Sequence, residues 1–436
     1  MWLDGALGPE YDEIPYSDET IFSPDGRRVA YRAKKGDKRL VVVDGEPGPE
    51  YDVIGYPVFS PDGRRVGYAA KKGDKWLVVV DGQPGPEYDS IRDRHWRGER
   101  LAFSPDGRRV AYAAKKGDKW LAVVDGEPGP EYGTIEGPAF SPDGRRVAYV
   151  ARKGDKQLVV VDGQPGPEYD GIPLLAGSLV LSSDGPRVAY VAKKGDQWLV
   201  VVDGQPGPGY DRIVGWQLAF SRDGRHVAYV AEKGGKAFAV VDGQPGPGYD
   251  TIGVRYPLFS PDGRRVAYAA VKGDKAFVVL DGQPGPGYDA VRGPVFGPDG
   301  QRVAYWAKKG NREFVVVDGQ PGREYDRIGE SDPVFSPDGR RVGYEANKDG
   351  RWFIVGDGQP GPEYDYVAAL AFSPSGRRMA YWAKKGDKEF VVVDGQAGSE
   401  YDKVVKNGPS FHEDGTLEFL GIRDDVLYRV TIPPAQ

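Results

Sequence analysis

The 436-residue chain has no cysteine, which excludes disulfides, thiolate metal sites, iron–sulfur clusters and cysteine nucleophiles. Its formal net charge of −6 argues against a generic nucleic-acid binder, so nucleic acid is an unexpected partner. No apolar run is long enough for a membrane span, and the opening Met1-Trp2-Leu3-Asp4-Gly5 lacks the basic and apolar parts of a signal peptide. The compartment therefore stays unassigned. The cytoplasm is slightly favoured, and the periplasm or exterior is open if a signal was removed.

The 63 glycines and 37 prolines are not scattered. A unit beginning Phe-Ser-Pro-Asp-Gly-Arg-Arg-Val-Ala-Tyr starts at Phe22, Phe59, Phe103, Phe140, Leu181, Phe220, Phe259, Phe296, Phe335, Phe372 and Phe411. A second motif, typified by Val78-Val79-Val80-Asp81-Gly82-Gln83-Pro84-Gly85-Pro86-Glu87-Tyr88-Asp89, follows in fixed phase. A period near 39 residues with two turn signals per copy is the signature of propeller blades. One copy predicts four strands. Strand A is 57–60, ended by Pro61-Asp62-Gly63; strand B is 65–70, ended by Lys71-Lys72-Gly73-Asp74. Strand C, 76–80, is a β-branched run suited to burial on both faces. The turn 81–86 holds both prolines, because proline cannot donate to a ladder, and strand D is 88–91. Helical repeats of similar period fail, since Gly or Pro interrupts every candidate helix.

The expected fold is all-β: a single closed β-propeller of about eleven four-stranded antiparallel blades, one domain over residues 1–436. The ring would be sealed by terminal strands sharing the last blade. Residues 11–14 form a D without its A and B, and 409–412, 417–422 and 426–431 form A, B and C without a D. Two smaller propellers are the alternative, broken near the atypical Leu181-Ser182-Ser183-Asp184-Gly185-Pro186. The Ser-Pro-Asp-Gly-Arg-Arg-Val-Ala-Tyr core resembles the WD-repeat-like propeller repeat of the TolB family over roughly residues 11–432. That resemblance implies a propeller acting through protein partners. It departs from the family in lacking the extra α/β domain and in having nearly twice the usual six blades.

Strand alternation puts A–B and C–D turns at one side and B–C turns with D–A connections at the other. The second side carries paired cations, Lys34-Lys35, Lys71-Lys72, Lys115-Lys116, Arg152-Lys153, Lys193-Lys194, Lys308-Lys309 and Lys384-Lys385. They would attract an anionic partner, or simply solvate hairpin tips beside the aspartate of each turn. Copies differ most in the D–A connections. These supply a candidate binding surface of Tyr56, Arg92, Arg94, His95, Trp96, Arg97, Trp216, Arg255, Tyr256 and Tyr366. Aromatic residues and arginine dominate binding hot spots, and variable loops on a repeated scaffold are where function is grafted. For any one of these residues, packing between blades is the simpler role.

No catalytic, metal or cofactor motif emerges. The histidines His95, His226 and His412 stand in different phases, and Gly-x-Ser-x-Gly is absent. Asp25, Asp62 and Asp106, with Asp44, Asp81 and Asp125, read as turn residues. The expectation is a monomeric, non-catalytic binding scaffold for protein or peptide, working through the B–C/D–A loop face and channel mouth. Carbohydrate or small-ligand binding at the mouth is the alternative, and an enzyme a distant third.

Overall fold

A computed structural model describes all residues except 1, 4–5, 8–9, 14–19, 93–100, 176, 184–186, 254–256, 406–407 and 435–436. The chain divides into two compact units, Met1–Asp211 and Arg212–Gln436. Both are all-β. Among the described residues, the first unit holds a two-stranded hairpin (Trp2–Leu3 with Ala6–Leu7) and five larger antiparallel sheets. The second holds six such sheets.

The copy read from sequence shows how one sheet is made. Strand A (Val58–Phe59) pairs with strand B (Val66–Lys72), and B pairs with strand C (Lys75–Val80). The lysines expected in the B–C turn are the last residues of strand B, and the turn itself is only Gly73-Asp74. Gly73 has φ 60, as a glycine at the first central position of a two-residue hairpin turn requires. The C–D turn is equally short. Asp81 and Gly82 carry φ 51 and 76, both positive, which is the type I′ geometry that Asp-Gly favours. Pro84 therefore lies not in the turn but on an edge strand (Gln83–Pro84) opposite Val79. An edge strand tolerates proline because the missing N–H faces outward, away from any ladder.

Strand D is also corrected: residues 88–91 are not one strand of one sheet. Tyr88 bridges Trp76 in its own repeat, whereas Ser90–Ile91 pairs with strand B of the next, opposite Lys115 and Ala114. Each repeat thus hands its chain to the following sheet. Asp89 secures the crossing. Its N–H donates to Lys115 O, its Oδ2 accepts from the Gly117 N–H at 2.6 Å, and Lys75 Nζ binds its Oδ1.

The core lies between successive sheets. Val78 of one sheet, with the crossing residues Tyr88 and Ile91, packs on Val110, Tyr112, Ala114, Leu121 and Val123 of the next. Leu77 and Val79 face the preceding sheet, beside Val41, Tyr51 and Tyr68. Strand C is thus buried on both faces, as its unbroken β-branched run requires. Each such valine or leucine contributes roughly 1.5–3 kcal/mol. Tyr88 and Tyr112 meet edge to face, 6.4 Å between centroids, so the Tyr-Asp tyrosine does pack between sheets.

The A–B turn is held by a fully buried serine. Ser60 Oγ donates to Asp62 Oδ1 and accepts the Arg65 N–H at 2.9 Å. Asp62 also accepts the Arg64 N–H, as expected of a turn aspartate. Asp81 acts differently from the sequence reading. It does not cap its own turn but reaches across the sheet end to the Val66 N–H and to Arg65 Nε. Arg65 then spans to Arg108 O of the next repeat and lies over the Phe103 ring. The A–B and C–D turns therefore share one end of each sheet, and the B–C turns and crossings share the other.

Candidate functional site

The end carrying B–C turns and D–A connections is where the copies diverge. Of the candidate residues, Arg94, His95, Trp96, Arg97, Arg255 and Tyr256 lie outside the described residues. The other four belong to four different repeats, Tyr56 and Arg92 in the first unit and Trp216 and Tyr366 in the second. In the first unit, Tyr56 is 41% exposed, with the Arg32 guanidinium 4.1 Å from its ring centre. Arg92 is occupied internally. It pairs with Glu136 at 2.8 Å, donates to Ile135 O and lies over Trp120 at 5.1 Å. It is a strap between neighbouring sheets rather than a cation offered to a partner.

In the second unit, Trp216 sits in an irregularity between Ile213 and Leu218, at φ 57. A non-glycine residue held in that region marks local strain, because a side chain there crowds the backbone. Tyr366 is the more useful feature. It is 44% exposed and stands between Trp352 (6.0 Å between centroids) and Trp382 (5.4 Å). Trp382 is fixed by donating Nε1–H to Glu389 Oε2, and the same oxygen accepts the Val404 N–H. Tyr366 itself lies in a strand (Tyr366–Phe372) opposite Lys384. The result is an open aromatic platform on rigid strands.

One neighbouring group was missed by the sequence reading. The position after the strand-B tyrosine is Ala or Val in most repeats (Ala69, Ala113, Val150, Val191, Val230, Ala269) but Trp306, Glu345 and Trp382 in three successive ones. That substitution pattern was the available signal. Glu345 is 8% exposed, and burial raises its carboxyl above the ordinary range while Ser331 and Arg292 act in the opposite sense. A Cβ at Gly329 would lie 2.3 Å from Glu345 Oε2, so glycine is needed there. Arg292 covers Trp306 at 4.6 Å and donates to Gly329 O and Glu330 O, another strap between sheets. Its desolvation disfavours the charge, and Glu313, Asp332, Glu330 and Glu345 offset this only in part.

The cationic turns are partly neutralised, though not by the aspartate of the turn itself. The residue after most turns pairs with the aspartate of the crossing, as Lys38 does with Asp52, Lys156 with Asp170, Lys236 with Asp250 and Lys388 with Asp402. These aspartates are held below the ordinary range by the lysine hydrogen bond first and the turn N–H second. Among the described residues, no group of three or more His, Asp or Glu side chains could hold a metal, and no helix is long and apolar enough to cross a membrane.

No protein-family model matches the chain, and no curated protein matches it in sequence. Among solved structures it is similar to the crystal structure of the eukaryotic initiation factor, with 14% identity, 74% of this chain and 91% of that chain covered, and a TM-score of 0.33. It is similar to the Dos1 propeller, with 11% identity, 68% and 92% covered, and a TM-score of 0.30. It is similar to TolB from Acinetobacter baumannii, with 16% identity, 50% and 62% covered, and a TM-score of 0.24. All three are β-propellers.

Proposed function

We propose that the chain is a non-catalytic binding scaffold that holds a protein or peptide at the sheet ends carrying B–C turns and D–A connections. The observation that carries this reading is Tyr366, an exposed aromatic held between two tryptophans on hydrogen-bonded strands. Anchors of this kind, rigid and already ordered, lose little conformational entropy on binding. The non-catalytic part is supported by how the recurring acids are used: Asp62, Asp81 and Asp89 are each committed to backbone N–H groups and basic side chains. The lysine-lined turns beside the platform suit a partner with acidic residues at its rim.

A displayed random-peptide library, selected on the intact chain, tests the reading. Selected peptides are expected to lose at least about 30-fold in affinity on Tyr366→Ala, about 2 kcal/mol, as a central anchor should. Peptides that bind the variant equally well would show that the platform is not the binding surface.

A further inference from the structure

At the opposite end of the sheets, each outer Pro-Gly segment lies over the strand-B tyrosine of the following repeat. A Cβ on eight of these glycines, Gly85 and Gly285 among them, would stand 3.3–3.8 Å from that tyrosine's hydroxyl. The hydroxyls of Tyr68, Tyr149 and Tyr268 are buried and have no hydrogen-bond partner, although the residues are at most 3% exposed. Leaving a phenol so placed costs about 1–3 kcal/mol, and phenylalanine would avoid it.

The same contact forms the floor of a cleft. One, of about 530 Å³, runs between Pro284-Gly285-Pro286 and Tyr305. Another, of about 620 Å³, has the equivalent lining, Pro165-Gly166-Pro167 and Tyr190. Its walls are proline rings and valines; its rim is polar but neutral. Arg265 pairs with Asp281 and Arg302 with Asp318, so neither sign of charge is in excess. The arginines are further spent on Gln301 O and Arg340 O. Asp281 accepts one N–H on each oxygen, Val266 N and Arg265 Nε, and a carboxylate has about four acceptor sites, so acceptor capacity remains. The floor and rim therefore call for a neutral ligand with an apolar face and several hydroxyl donors. A proline-rich peptide offers acceptors but few donors.

We propose that these inter-repeat clefts bind neutral pyranose sugars, several per chain. A ring of this kind sets C–H groups on the prolines and hydroxyls on the aspartates. The chain contains its own control. Where the outer segment is Gln396-Ala397-Gly398-Ser399, without prolines, the following strand B carries Phe419 in place of tyrosine. Prolines and hydroxyl are lost together. This site is separate from the Tyr366 platform, so either reading can fail alone.

The test uses crystals of the full chain soaked with glucose, galactose, mannose or N-acetylglucosamine at about 100 mM, a hundred times a millimolar dissociation constant. Binding of the same sugars on a multivalent carrier is measured in parallel. At least one sugar is expected in several tyrosine-floored clefts and absent beside Phe419, with carrier binding about 100-fold tighter than the free sugar. Pro284→Ala with Pro286→Ser, the residues found beside Phe419, should empty their own cleft only, and Ala397→Pro with Ser399→Pro should create a new one. Clefts that stay free of all four sugars, or that are filled equally beside Phe419, or that take a proline-rich peptide and no sugar, would overturn the proposal.

Discussion

Two repeats lack the buried serine, at Gly297 and at His412, and restoring it at Gly297 isolates what that serine contributes. In the segment Phe296-Gly297-Pro298-Asp299-Gly300 the backbone keeps the usual turn: the Gly297 N–H donates to Arg302 O and the Gly300 N–H to Gly297 O, both at 2.9 Å. In the preceding repeat Ser260 Oγ additionally takes the Arg265 N–H at 3.0 Å and donates to Asp262. Gly297→Ser should recover both bonds, at about 1 kcal/mol each. Removing a glycine from the unfolded chain contributes about 0.4–1 kcal/mol more. A Cβ there would meet Asp299 Oδ1 at 3.3 Å, Arg302 Cβ at 3.4 Å and Phe335 Cδ1 at 3.5 Å, tight contacts that take back part of the gain. The net expectation is a stabilisation of about 2 kcal/mol, read as a higher urea midpoint at unchanged slope. Hydrogen exchange at the Arg302 amide gives the local reading and should slow. An unchanged midpoint with unprotected Arg302 would refute the claim that the serine, rather than the Asp-Gly turn, holds this end of the sheet.

Two further outcomes follow from the charged groups. The Asp89 carboxyl is held below its ordinary value by Lys75 and then by the Gly117 N–H. Its folded pKa lies below its unfolded one, so its contribution is present above the unfolded value and lost as pH falls through the folded value. Asp89→Asn should therefore lower the urea midpoint at pH 7 and converge with the parent in acid; a constant difference across pH would contradict this. Glu345 carries the opposite sign. Burial raises its pKa, so the native state holds its proton longer, and stability falls as pH rises from the unfolded value through the folded one. Glu345→Gln should raise the midpoint at neutral pH and leave it unchanged in acid; a variant destabilised at neutral pH would show that the ionised carboxylate is the native form, held by Arg292.

Much of this protein was decided locally and could be read from sequence. Asp81-Gly82 and Gly73-Asp74 accept the positive φ angles of two-residue hairpins, so the turns, the strand alternation and the sharing of turns between two ends all follow from residue chemistry. The continuous run 77–80 announced burial on both faces for the same reason: no polar residue interrupts it. Partnership between segments distant in sequence needed the tertiary structure. Residues 88–91 look like one strand, yet Tyr88 and Ser90–Ile91 serve different sheets, because local propensity does not encode which edge is free. Arg92 and Tyr366 had equal standing as exposed binding residues. Folding places Glu136, Ile135 O and Trp120 around one and leaves the other open between two tryptophans. Burial of Glu345 likewise depends on Gly329, brought beside it by pairing within its own sheet, and on Arg292 from the preceding sheet.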